Sequence, residues 1–323
     1  MRSCVIVGAG LSGLIAARRL VEADIHVTVF EKENKVGGRM RTDRLKDAIF
    51  DHGAQFFTVR EERFGEMVED WVSAGVAEVW THGFADAYGD RHEDGYPRYK
   101  GTRGMASINE YLARDLNVKT GSEVSWINAG PRGWEVAAGG LKHTAGALIL
   151  ALPAPLALTL IDDNDLPLPA EARRALENID YDPCIAVMAL LEDAGSVPEP
   201  GGIQIGGDTL FWIADNQKKG ISSVPAVTIH AGPGWSRKHA ESDNTTVIHL
   251  LLEEAKNYIG TEAKATAVYR WKHSWVTKPH EEPFVYVGLP PPLVFCGDAY
   301  AGPKMEGAAL SGLAAAEKLL ENK

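Results

Sequence analysis

CVIVGAGLSGLIAARRL, residues 4–20, is the stretch that decides the fold of this chain. An apolar run of four residues precedes three glycines, Gly8, Gly10 and Gly13, at a Gly-x-Gly-x-x-Gly spacing. Small and apolar residues then recur at helical spacing. The pattern predicts a strand, a tight turn and a helix, the arrangement that binds a dinucleotide.

Each glycine has its own task in such a turn. Gly8 permits the tight turn, Gly10 leaves room for a pyrophosphate, and Gly13 allows the helix to pack closely on the strand. The first helical residues, Leu11 and Ser12, would then direct the helix N-terminus toward the phosphates. These residues are therefore candidate cofactor contacts.

The next strand is predicted over 24–31, DIHVTVFE, because β-branched residues alternate there. It ends at Glu31, whose carboxylate can accept a hydrogen bond from a ribose hydroxyl. Lys32, the following residue, is assigned to the same site. A carboxylate repels a 2′-phosphate, which disfavours NADP at this position and leaves NAD and FAD open.

Bulk composition limits the class of protein. A chain of 323 residues is long enough for two domains. Its formal net charge of −11 disfavours nucleic acid or an anionic membrane as the main partner. The three cysteines are widely spaced and indicate reduced core residues, with no metal site.

The ends and apolar runs of the chain point to a location. The first strand begins within a few residues of Met1, and no apolar run approaches the ~20 residues of a membrane span. The sequence therefore predicts a soluble, cytoplasmic protein. It leaves the oligomeric state open.

Two further motifs bear on the choice of dinucleotide. Gly38 and Arg39, in the stretch KVGGRM, can bring backbone and a cation close to a diphosphate, although an exposed turn is the alternative interpretation. Near the other end, FCGDAYAG places Asp298 after a strand and ahead of a helix expected to begin near Glu306. Asp298 can meet a ribityl hydroxyl, and the helix end, near Ala308, can face an electron-accepting ring.

This combination of motifs resembles the flavoproteins related to amine oxidases and phytoene desaturases. The resemblance implies FAD as the cofactor. Cys296 lies inside the strand before Gly297, which does not support covalent attachment, so FAD is expected to be non-covalent. No second Gly-x-Gly-x-x-Gly unit follows a strand downstream, so the substrate itself must reduce the flavin.

Within that superfamily the chain resembles the renalases, including their short bacterial members. The resemblance rests on VGGRM, DHGAQFFTVR, YKGTRGMASI, ALPAP, TIHAGPGWSRKH, YRWKHSWVT and CGDAYAGPKMEGAALSG, which lie in the order and rough spacing of that family. It implies oxidation of dihydronicotinamide dinucleotides reduced at the 2- or 6-position. NAD(P)+ is the product, and dioxygen is reduced to hydrogen peroxide.

The same resemblance implies further site residues. The additional cofactor contacts are Ala54, Gln55, Phe56 and Val124, the last through its backbone to adenine. The substrate contacts are Phe56, Phe57, Thr58, Val59, Arg60, Tyr99, Lys100, Gly101 and Met305.

The residue types fit hydride transfer. A dihydropyridine that loses a hydride becomes an aromatic cation and releases no proton, so positioning matters more than acid or base catalysis. Aromatic residues such as Phe56 can wall a flat slot, and Arg60 can neutralise a pyrophosphate. Core packing remains the alternative for Phe56 and Phe57. His230 and His273 are candidate lining residues, with buried structural histidines as the alternative.

Two other functions remain open. A flavin amine oxidase is the second enzyme hypothesis, and its candidate residues are Lys272, Lys278, Trp271, Trp275 and Tyr300. A non-catalytic flavin-binding protein is the third.

The sequence predicts an α/β fold with two domains. A discontinuous, Rossmann-like FAD domain is expected over 1–55, 101–152 and 280–323. A substrate domain with a mostly antiparallel sheet and flanking helices is expected over 56–100 and 153–279, covering the flavin. Helices are predicted over 61–75, 104–116, 169–177 and 244–259, and short strands or loops over 83–104.

Overall fold

A computed structural model of the protein describes residues 1–288 and 290–321. The strands are β1 (Ser3–Val7), β2 (His26–Phe30), β3 (Thr42–Leu45), β4 (Ala48–Asp51), β5 (Ala77–Asp86), β6 (Arg91–Gly101), β7 (Val118–Lys119), β8 (Val124–Gly130), β9 (Gly133–Ala138), β10 (Leu141–Ala145), β11 (Ala147–Leu150), β12 (Asp180–Leu191), β13 (Gly202–Gln204), β14 (Trp212–Asp215), β15 (Ala226–His230), β16 (Ala263–Lys278), β17 (Val285–Val287) and β18 (Leu293–Phe295). The helices are α1 (Leu11–Val21), α2 (Glu62–Ser73), α3 (Ala106–Leu112), α4 (Ala154–Asp162), α5 (Ala170–Glu177), α6 (Pro233–Lys238), α7 (Asn244–Ile259) and α8 (Lys304–Glu321).

The chain divides into two compact units. Unit 1 comprises 1–38, 109–181 and 276–323, and unit 2 comprises 39–108 and 182–275. Both combine helices with sheets, which confirms the predicted two-domain α/β class. None of the helices in the part of the chain that the structure describes is long and apolar enough to span a membrane.

The main sheet of unit 1 has the strand order β17-β18-β11-β1-β2-β7. All neighbours pair in parallel except β17 and β18. Val7 of β1 is in register with Phe30 of β2 and Leu150 of β11, and Leu150 with Phe295 of β18. The residues that follow these four strands therefore share one edge of the sheet, where β1 marks the change in strand order that favours ligand binding.

Unit 1 also contains the small antiparallel sheet β10-β9-β8. The two sheets share one hydrophobic core, because Ile127 and Val136 of the small sheet pack together with Val5 and Leu148 of the main sheet. Leu141 of β10 is exposed, whereas every apolar residue of β1 and β11 is buried. This explains why the strands read as apolar runs in the sequence.

Unit 2 is built on a sheet of strand order β16-β12-β15-β14-β13-β5-β6. β12, β15, β14 and β13 pair antiparallel in turn, as do β5 and β6, whereas β13 and β5 are parallel. Val187, Ile213, Ile229 and Leu251 lie in its core. α7 covers this core, beginning where the Asp243 carboxylate accepts a hydrogen bond from the Thr246 amide at 3.0 Å.

The units differ from the predicted domains at several boundaries. Residues 153–181 were expected in the substrate domain, but α4 and α5 pack through Ala157, Ile161 and Leu176 into the core of unit 1. Conversely, residues 39–55 and 101–108 belong to unit 2, because β4 packs through Phe50 against Met188. The sequences of α4, α5 and the β3–β4 hairpin gave no signal of which unit's core these elements would join.

One local prediction was wrong. The region 83–104 was expected to form short strands or loops, whereas β5 and β6 form a long antiparallel hairpin. The pairing register shifts between Val79 and Thr81 and again between Thr81 and Gly83. Such irregularities break the alternation of apolar and polar residues by which a strand is recognised in sequence. The helix expected over 104–116 is also shorter, Ala106–Leu112.

Candidate functional site

The glycine-rich turn has the geometry that the spacing predicts. Gly8 has a φ of +104°, and a Cβ added there would lie 2.5 Å from the carbonyl oxygen of Ala151. At Gly13 an added Cβ would lie 2.1 Å from the carbonyl oxygen of Gly8. Around Gly10, by contrast, an added Cβ would meet no described atom within 4 Å. Packing within the protein thus requires glycine at positions 8 and 13. At Gly10, by contrast, the space beside the backbone is open to a ligand.

The N-terminus of α1 begins at this open position. Gly10 is the N-cap and provides no side-chain hydrogen bond, and the first turn carries no acidic residue. Leu11 and Ser12 are buried there. A helix start with uncapped amides and no carboxylate is suited to an anionic group.

Glu31 lies directly after β2 and is 8% exposed. Its Oε2 accepts a hydrogen bond from the Ala9 amide at 2.9 Å, and its Oε1 accepts one from the Glu33 amide at 3.0 Å. The carboxylate is therefore held in one orientation beside the glycine-rich turn, with further lone pairs on each oxygen. Lys32 is exposed.

The second glycine pair lies against the first turn. The Gly37 amide donates to the carbonyl oxygen of Ala9 at 2.9 Å. Gly38 has a φ of +51°, and its added Cβ would lie 3.4 Å from the Cα atom of Gly10. Gly37 thus pairs with Ala9 of the first turn, and Gly38 approaches Gly10 with bare backbone.

The segment before Val124 runs beside the residues after β2. The Gly121 amide donates to the Glu33 carbonyl oxygen at 2.7 Å, and the Ser122 amide donates to the Glu31 carbonyl oxygen at 2.8 Å. Val124 begins β8 two residues later and is buried. The segment that leads into Val124 therefore lies beside Glu31 and Glu33.

The C-terminal motif reaches the same edge of the main sheet of unit 1. Cys296, Gly297 and Asp298 follow β18, and the Gly297 amide donates to Ser311 Oγ of α8 at 3.0 Å. An added Cβ at Gly312 would lie 2.2 Å from the Ser12 carbonyl oxygen, so α8 packs tightly on the start of α1. α8 begins at Lys304, two residues before the expected start.

Two predicted site residues lie in the first turns of α8. Met305 is buried, and Ala308 is partly exposed on the next turn. Gly307 between them is required sterically, because its added Cβ would lie 1.6 Å from the Gly302 carbonyl oxygen.

Arg39 is the first residue of unit 2. Its Nη1 atom donates to the carbonyl oxygens of His273 and Ser274 on β16, at 3.2 and 3.3 Å. Its own carbonyl oxygen accepts from the Ala54 amide at 2.8 Å. Arg39 thus ties β16 to the segment that contains Ala54.

The two segments expected to contact substrate pair with each other in unit 2. The Phe57 amide donates to the Tyr99 carbonyl oxygen at 3.0 Å, and the Tyr99 amide returns the bond at 2.8 Å. Their rings stack with centroids 5.5 Å apart and planes 21° apart. Phe57 is also buried against Phe64 and Trp71, so it serves the core as well.

The neighbouring substrate candidates differ in exposure. Phe56 is partly buried and packs on Phe84 and Trp212, with centroids 4.9 and 5.6 Å away. Thr58 and Val59 are partly exposed. Arg60 is exposed, and its guanidinium carbon lies 4.6 Å from the centroid of the Tyr96 ring.

Lys100 and Gly101 complete the segment of β6. Lys100 is buried, and its ammonium pairs with the Glu78 carboxylate at 2.5 Å. Gly101 tolerates no side chain, because an added Cβ would lie 2.0 Å from the Gly104 carbonyl oxygen. The Lys100 ammonium is thus engaged by Glu78, and Gly101 presents only backbone.

Comparison with known proteins identifies the family. Residues 60–320 match the model of the flavin containing amine oxidoreductases, which is most of the chain. This protein belongs to that family. Residues 6–71 match the NAD(P)-binding Rossmann-like domain.

Curated relatives match over short segments. Protoporphyrinogen oxidase 2 of Arabidopsis thaliana is 42% identical over 65 residues, which is 20% of this chain and 13% of the relative. L-amino acid dehydrogenase of Synechocystis sp. is 39% identical over 69 residues, 21% of this chain and 15% of the relative. Polyamine oxidase 4 of Oryza sativa subsp. japonica is 43% identical over 54 residues, 17% of this chain and 11% of the relative. The matches thus span a small part of each relative's length.

Solved structures match over the full length of the fold. A redesigned double mutant of putrescine oxidase superposes with a TM-score of 0.74 at 16% identity, covering 99% of both chains. Wild-type putrescine oxidase bound to putrescine gives 0.72 at 15% identity, also covering 99% of both chains. At this identity the likeness establishes the fold.

Family membership confirms FAD as the cofactor predicted from the sequence. The residues of unit 1 fit it. Gly10 and Gly38 form a cradle of bare backbone at an uncapped helix start, and Glu31 stands beside it with a fixed carboxylate. A dinucleotide needs an anion site and a ribose acceptor in this relation.

The cysteines of this family member are all buried. Burial raises the pKa of the Cys296 thiol to about 12, and that of Cys184 to about 12. A thiol that stays protonated is a poor nucleophile. The environment of Cys296 thus disfavours a covalent bond to a cofactor.

The candidate histidines are both in unit 2. His230 is buried, its Nε2 atom lies 3.1 Å from the His52 carbonyl oxygen, and burial lowers its pKa to about 4. His273 is partly buried, and its pKa is lowered by burial and then by the charges of Arg39 and Lys272. Both side chains favour the neutral form at neutral pH.

The residues considered for an amine oxidase differ in their surroundings. Lys272 and Lys278 are exposed. Trp271 donates through Nε1 to the His52 carbonyl oxygen at 2.8 Å, and Trp275 packs on Phe211. Tyr300 of unit 1 is fully buried.

Sequence reasoning missed three buried polar residues of unit 2, at positions 51, 52 and 219. His52 is fully buried, its Nε2 lies 3.0 Å from Asp43 Oδ2, and it stacks on Trp271. Asp51 and Lys219 form a fully buried ion pair at 2.7 Å. The quoted motif DHGAQFFTVR contains Asp51 and His52, but Lys219 stands in a polar turn with no sequence signal.

Proposed function

We propose that this chain is an FAD-dependent oxidase of the renalase type. It takes a hydride from dihydronicotinamide dinucleotides reduced at the 2- or 6-position, returns NAD(P)+, and passes the electrons to dioxygen to give hydrogen peroxide. The observation that carries the proposal is the pairing of the two predicted substrate segments through Phe57 and Tyr99, close in sequence to the exposed Arg60. Flat aromatic surface followed by a guanidinium suits a flat, phosphorylated substrate.

In unit 1 the proposed cofactor residues are those of the cradle and its surroundings. The amides at the start of α1 hold the diphosphate, and Glu31 accepts a ribose hydroxyl. Val124 contacts adenine through its backbone, and Asp298 meets the ribityl chain. Ala308 lies at the flavin end of α8.

In unit 2 Arg39 supplies the cation near the diphosphate. Ala54, Gln55 and Phe56 are the proposed cofactor contacts of this unit. Bound FAD supplies a two-electron acceptor for the hydride. The attachment is non-covalent, which the buried, protonated Cys296 supports.

The protein's own contribution to this reaction is positioning. Phe56, Phe57 and Tyr99 orient the dihydropyridine ring, and Arg60 binds the pyrophosphate. No proton needs to be removed, and burial, which lowers the pKa of His230 to about 4, makes this imidazole a weak base. Lys100, Gly101 and Met305 remain proposed substrate contacts.

A flavin amine oxidase is the second candidate, because the fold matches putrescine oxidase. That reaction needs an amine bound as the free base near the ring. The exposed positions of Lys272 and Lys278 provide no buried lysine for it in this part of β16. A non-catalytic flavin-binding protein is the third candidate.

Anaerobic mixing of the purified yellow protein distinguishes these functions. We expect 6-dihydro-NAD or 2-dihydro-NAD to bleach the flavin band at about 450 nm within seconds. Ordinary NADH, which is 4-dihydro-NAD, should leave the band unchanged, as should putrescine and a panel of primary and secondary amines. Admission of oxygen should restore the band and yield one hydrogen peroxide per turnover. Bleaching by an amine alone supports the second candidate, and no bleaching by any of these compounds supports the third.

A further inference from the structure

Lys219 of unit 2 is almost completely buried. Its ammonium donates to Asp51 Oδ2 at 2.7 Å and to the Gln55 carbonyl oxygen at 2.7 Å. It also lies 3.4 Å from Gln55 Oε1 and 4.9 Å from the centroid of the Trp80 ring. All the directions in which an ammonium donates are thus used.

A compact turn presents this side chain. Asp215 Oδ1 accepts hydrogen bonds from the amides of Gln217 and Lys218, and the Lys219 amide donates to the Asp215 carbonyl oxygen at 2.8 Å. The neighbouring Lys218 turns the other way and donates to the Val197 carbonyl oxygen at 2.5 Å. Two adjacent lysines therefore have separate tasks, and only Lys219 reaches the segment 51–57.

The segment 51–57 is closed around the ammonium. Gln55 Nε2 donates to the Asp51 carbonyl oxygen at 2.6 Å and to that of Gly53 at 3.2 Å. Asp51 anchors one end of the segment, since its Oδ1 accepts from Thr42 Oγ1 and from the Met105 amide. The other end is held by the pairing of residue 57 with β6, so that residue 56 lies between two anchors.

We propose that Lys219 is a positioning residue that sets the place of Gln55 and Phe56 for contact with the flavin. The inference rests on the proposed function in one respect, the assignment of Ala54 to Phe56 as cofactor contacts. In this role Lys219 itself touches neither cofactor nor substrate. It acts through the main-chain carbonyl that directly precedes Phe56.

The hydrogen bond to the Gln55 carbonyl oxygen distinguishes a positioning role for Lys219 from simple neutralisation of the Asp51 carboxylate. A buried ion pair by itself is weak support for stability, and apolar replacements of both partners are often tolerated. Neutralising both Asp51 and Lys219 should therefore preserve the fold. It would nevertheless release the Gln55 carbonyl, because methionine has no donor.

The test compares the wild-type holoprotein with three lysine variants, and Phe56→Leu is then made in the wild type and in the double variant. Lys219→Met removes the ammonium. The double variant Asp51→Asn/Lys219→Met removes both charges, while the amide oxygen introduced at position 51 still offers an acceptor to Thr42 and Met105. Lys218→Met is the matched control, since it removes an ammonium from the same turn. Each protein is freed of FAD and titrated with it, and the visible circular dichroism and midpoint potential of the bound flavin and the Tm are recorded.

We expect the double variant to have a Tm within a few degrees of the control, and an FAD Kd about tenfold higher than wild type. Its flavin circular dichroism and potential should also change. Phe56→Leu should weaken FAD binding in the wild type but have little added effect in the double variant. The control should resemble the wild type in every measurement.

A double variant with wild-type Kd, dichroism and potential would overturn the proposal. A double variant that fails to fold assigns Lys219 to stability and overturns it as well. These readouts do not depend on the substrate. If the wild type oxidises no dihydronicotinamide, the proposed function fails, while the FAD titrations still decide the role of Lys219.

Discussion

Gly13 lies directly against the carbonyl oxygen of Gly8, and a Cβ placed on Gly13 would be 2.1 Å from that oxygen. Gly10, between them, meets no described atom within 4 Å of its added Cβ. The three glycines of one motif therefore serve two purposes. Gly8 and Gly13 shape the turn, and Gly10 leaves space for what binds there.

Alanine substitutions should separate these purposes. We expect Gly10→Ala to leave the unfolding of the FAD-free protein unchanged, since its φ of −78° suits alanine. FAD affinity should fall about tenfold, or ~1.4 kcal/mol, because the methyl group enters the ligand's space. Gly13→Ala should instead destabilise the FAD-free protein by roughly 1–3 kcal/mol. Denaturant unfolding and FAD titration measure both effects, and equal destabilisation by the two variants would contradict this division.

Arg39→Ala should weaken retention of FAD. The guanidinium is fastened to β16 through the carbonyl oxygens of His273 and Ser274, and its charge helps to lower the pKa of His273. The variant should therefore lose FAD on gel filtration and show a raised His273 pKa by NMR. Arg44→Ala removes an exposed arginine of β3 and is the control. Unchanged flavin content would count against a role for Arg39 in cofactor binding.

Arg60→Ala should raise KM for a 6-dihydronicotinamide dinucleotide about tenfold, because a charge-assisted contact with pyrophosphate is lost. kcat and flavin content should stay the same. Arg63→Ala removes the same charge from α2 and should have little effect. With the corresponding mononucleotide, which lacks the pyrophosphate, Arg60→Ala and wild type should give the same KM. A penalty that persists with the mononucleotide would refute the assignment.

His230 should make stability depend on pH. Burial lowers its folded-state pKa to about 4 from an ordinary value of 6.5, so the unfolded chain binds more protons between these values. The stabilisation is present above pH 6.5 and is lost as pH falls toward 4, by about 3 kcal/mol in total. His230→Gln should flatten this part of the profile of unfolding free energy against pH. His26→Gln, at an exposed position of β2, is the control variant.

The three cysteine thiols should be unreactive in the native protein. Burial raises the pKa of Cys184 and Cys296 to about 12 and raises that of Cys4 further, so thiolate is scarce at about pH 8. We expect a disulfide reagent to modify no cysteine until the chain unfolds, and then to modify all three. When the holoprotein is denatured and filtered, all of the flavin should pass into the filtrate. Flavin that remains with the precipitated chain would show a covalent bond.

Local order in this chain follows from residues close in sequence. The glycine spacing at Gly8, Gly10 and Gly13 required a tight turn after a buried strand, and the turn has that form. α7 has the ends predicted from the sequence, 244 and 259, and in the structure Asp243 caps its start while Gly260, at a φ of +68°, ends it. Such signals depend on a few neighbouring residues, so one sequence is sufficient to read them.

The assignment of elements to a core did not follow from local pattern. α4 and α5 have apolar faces that fit either unit, and only the completed packing of Ile161 and Leu176 places them in unit 1. The β5–β6 hairpin was hidden by its register shifts. An amphipathic face specifies that something is buried, but it does not specify against what.

By itself, the sequence determined the class of fold, the FAD cofactor and the residue types of the segments proposed to contact substrate. Tertiary structure alone decided which distant side chains meet. Lys219 reaches Asp51 and Gln55, which lie 168 and 164 positions away along the chain. Such a contact depends on the path of the backbone between its ends, and a buried charge in a polar turn carries no local mark of its partner.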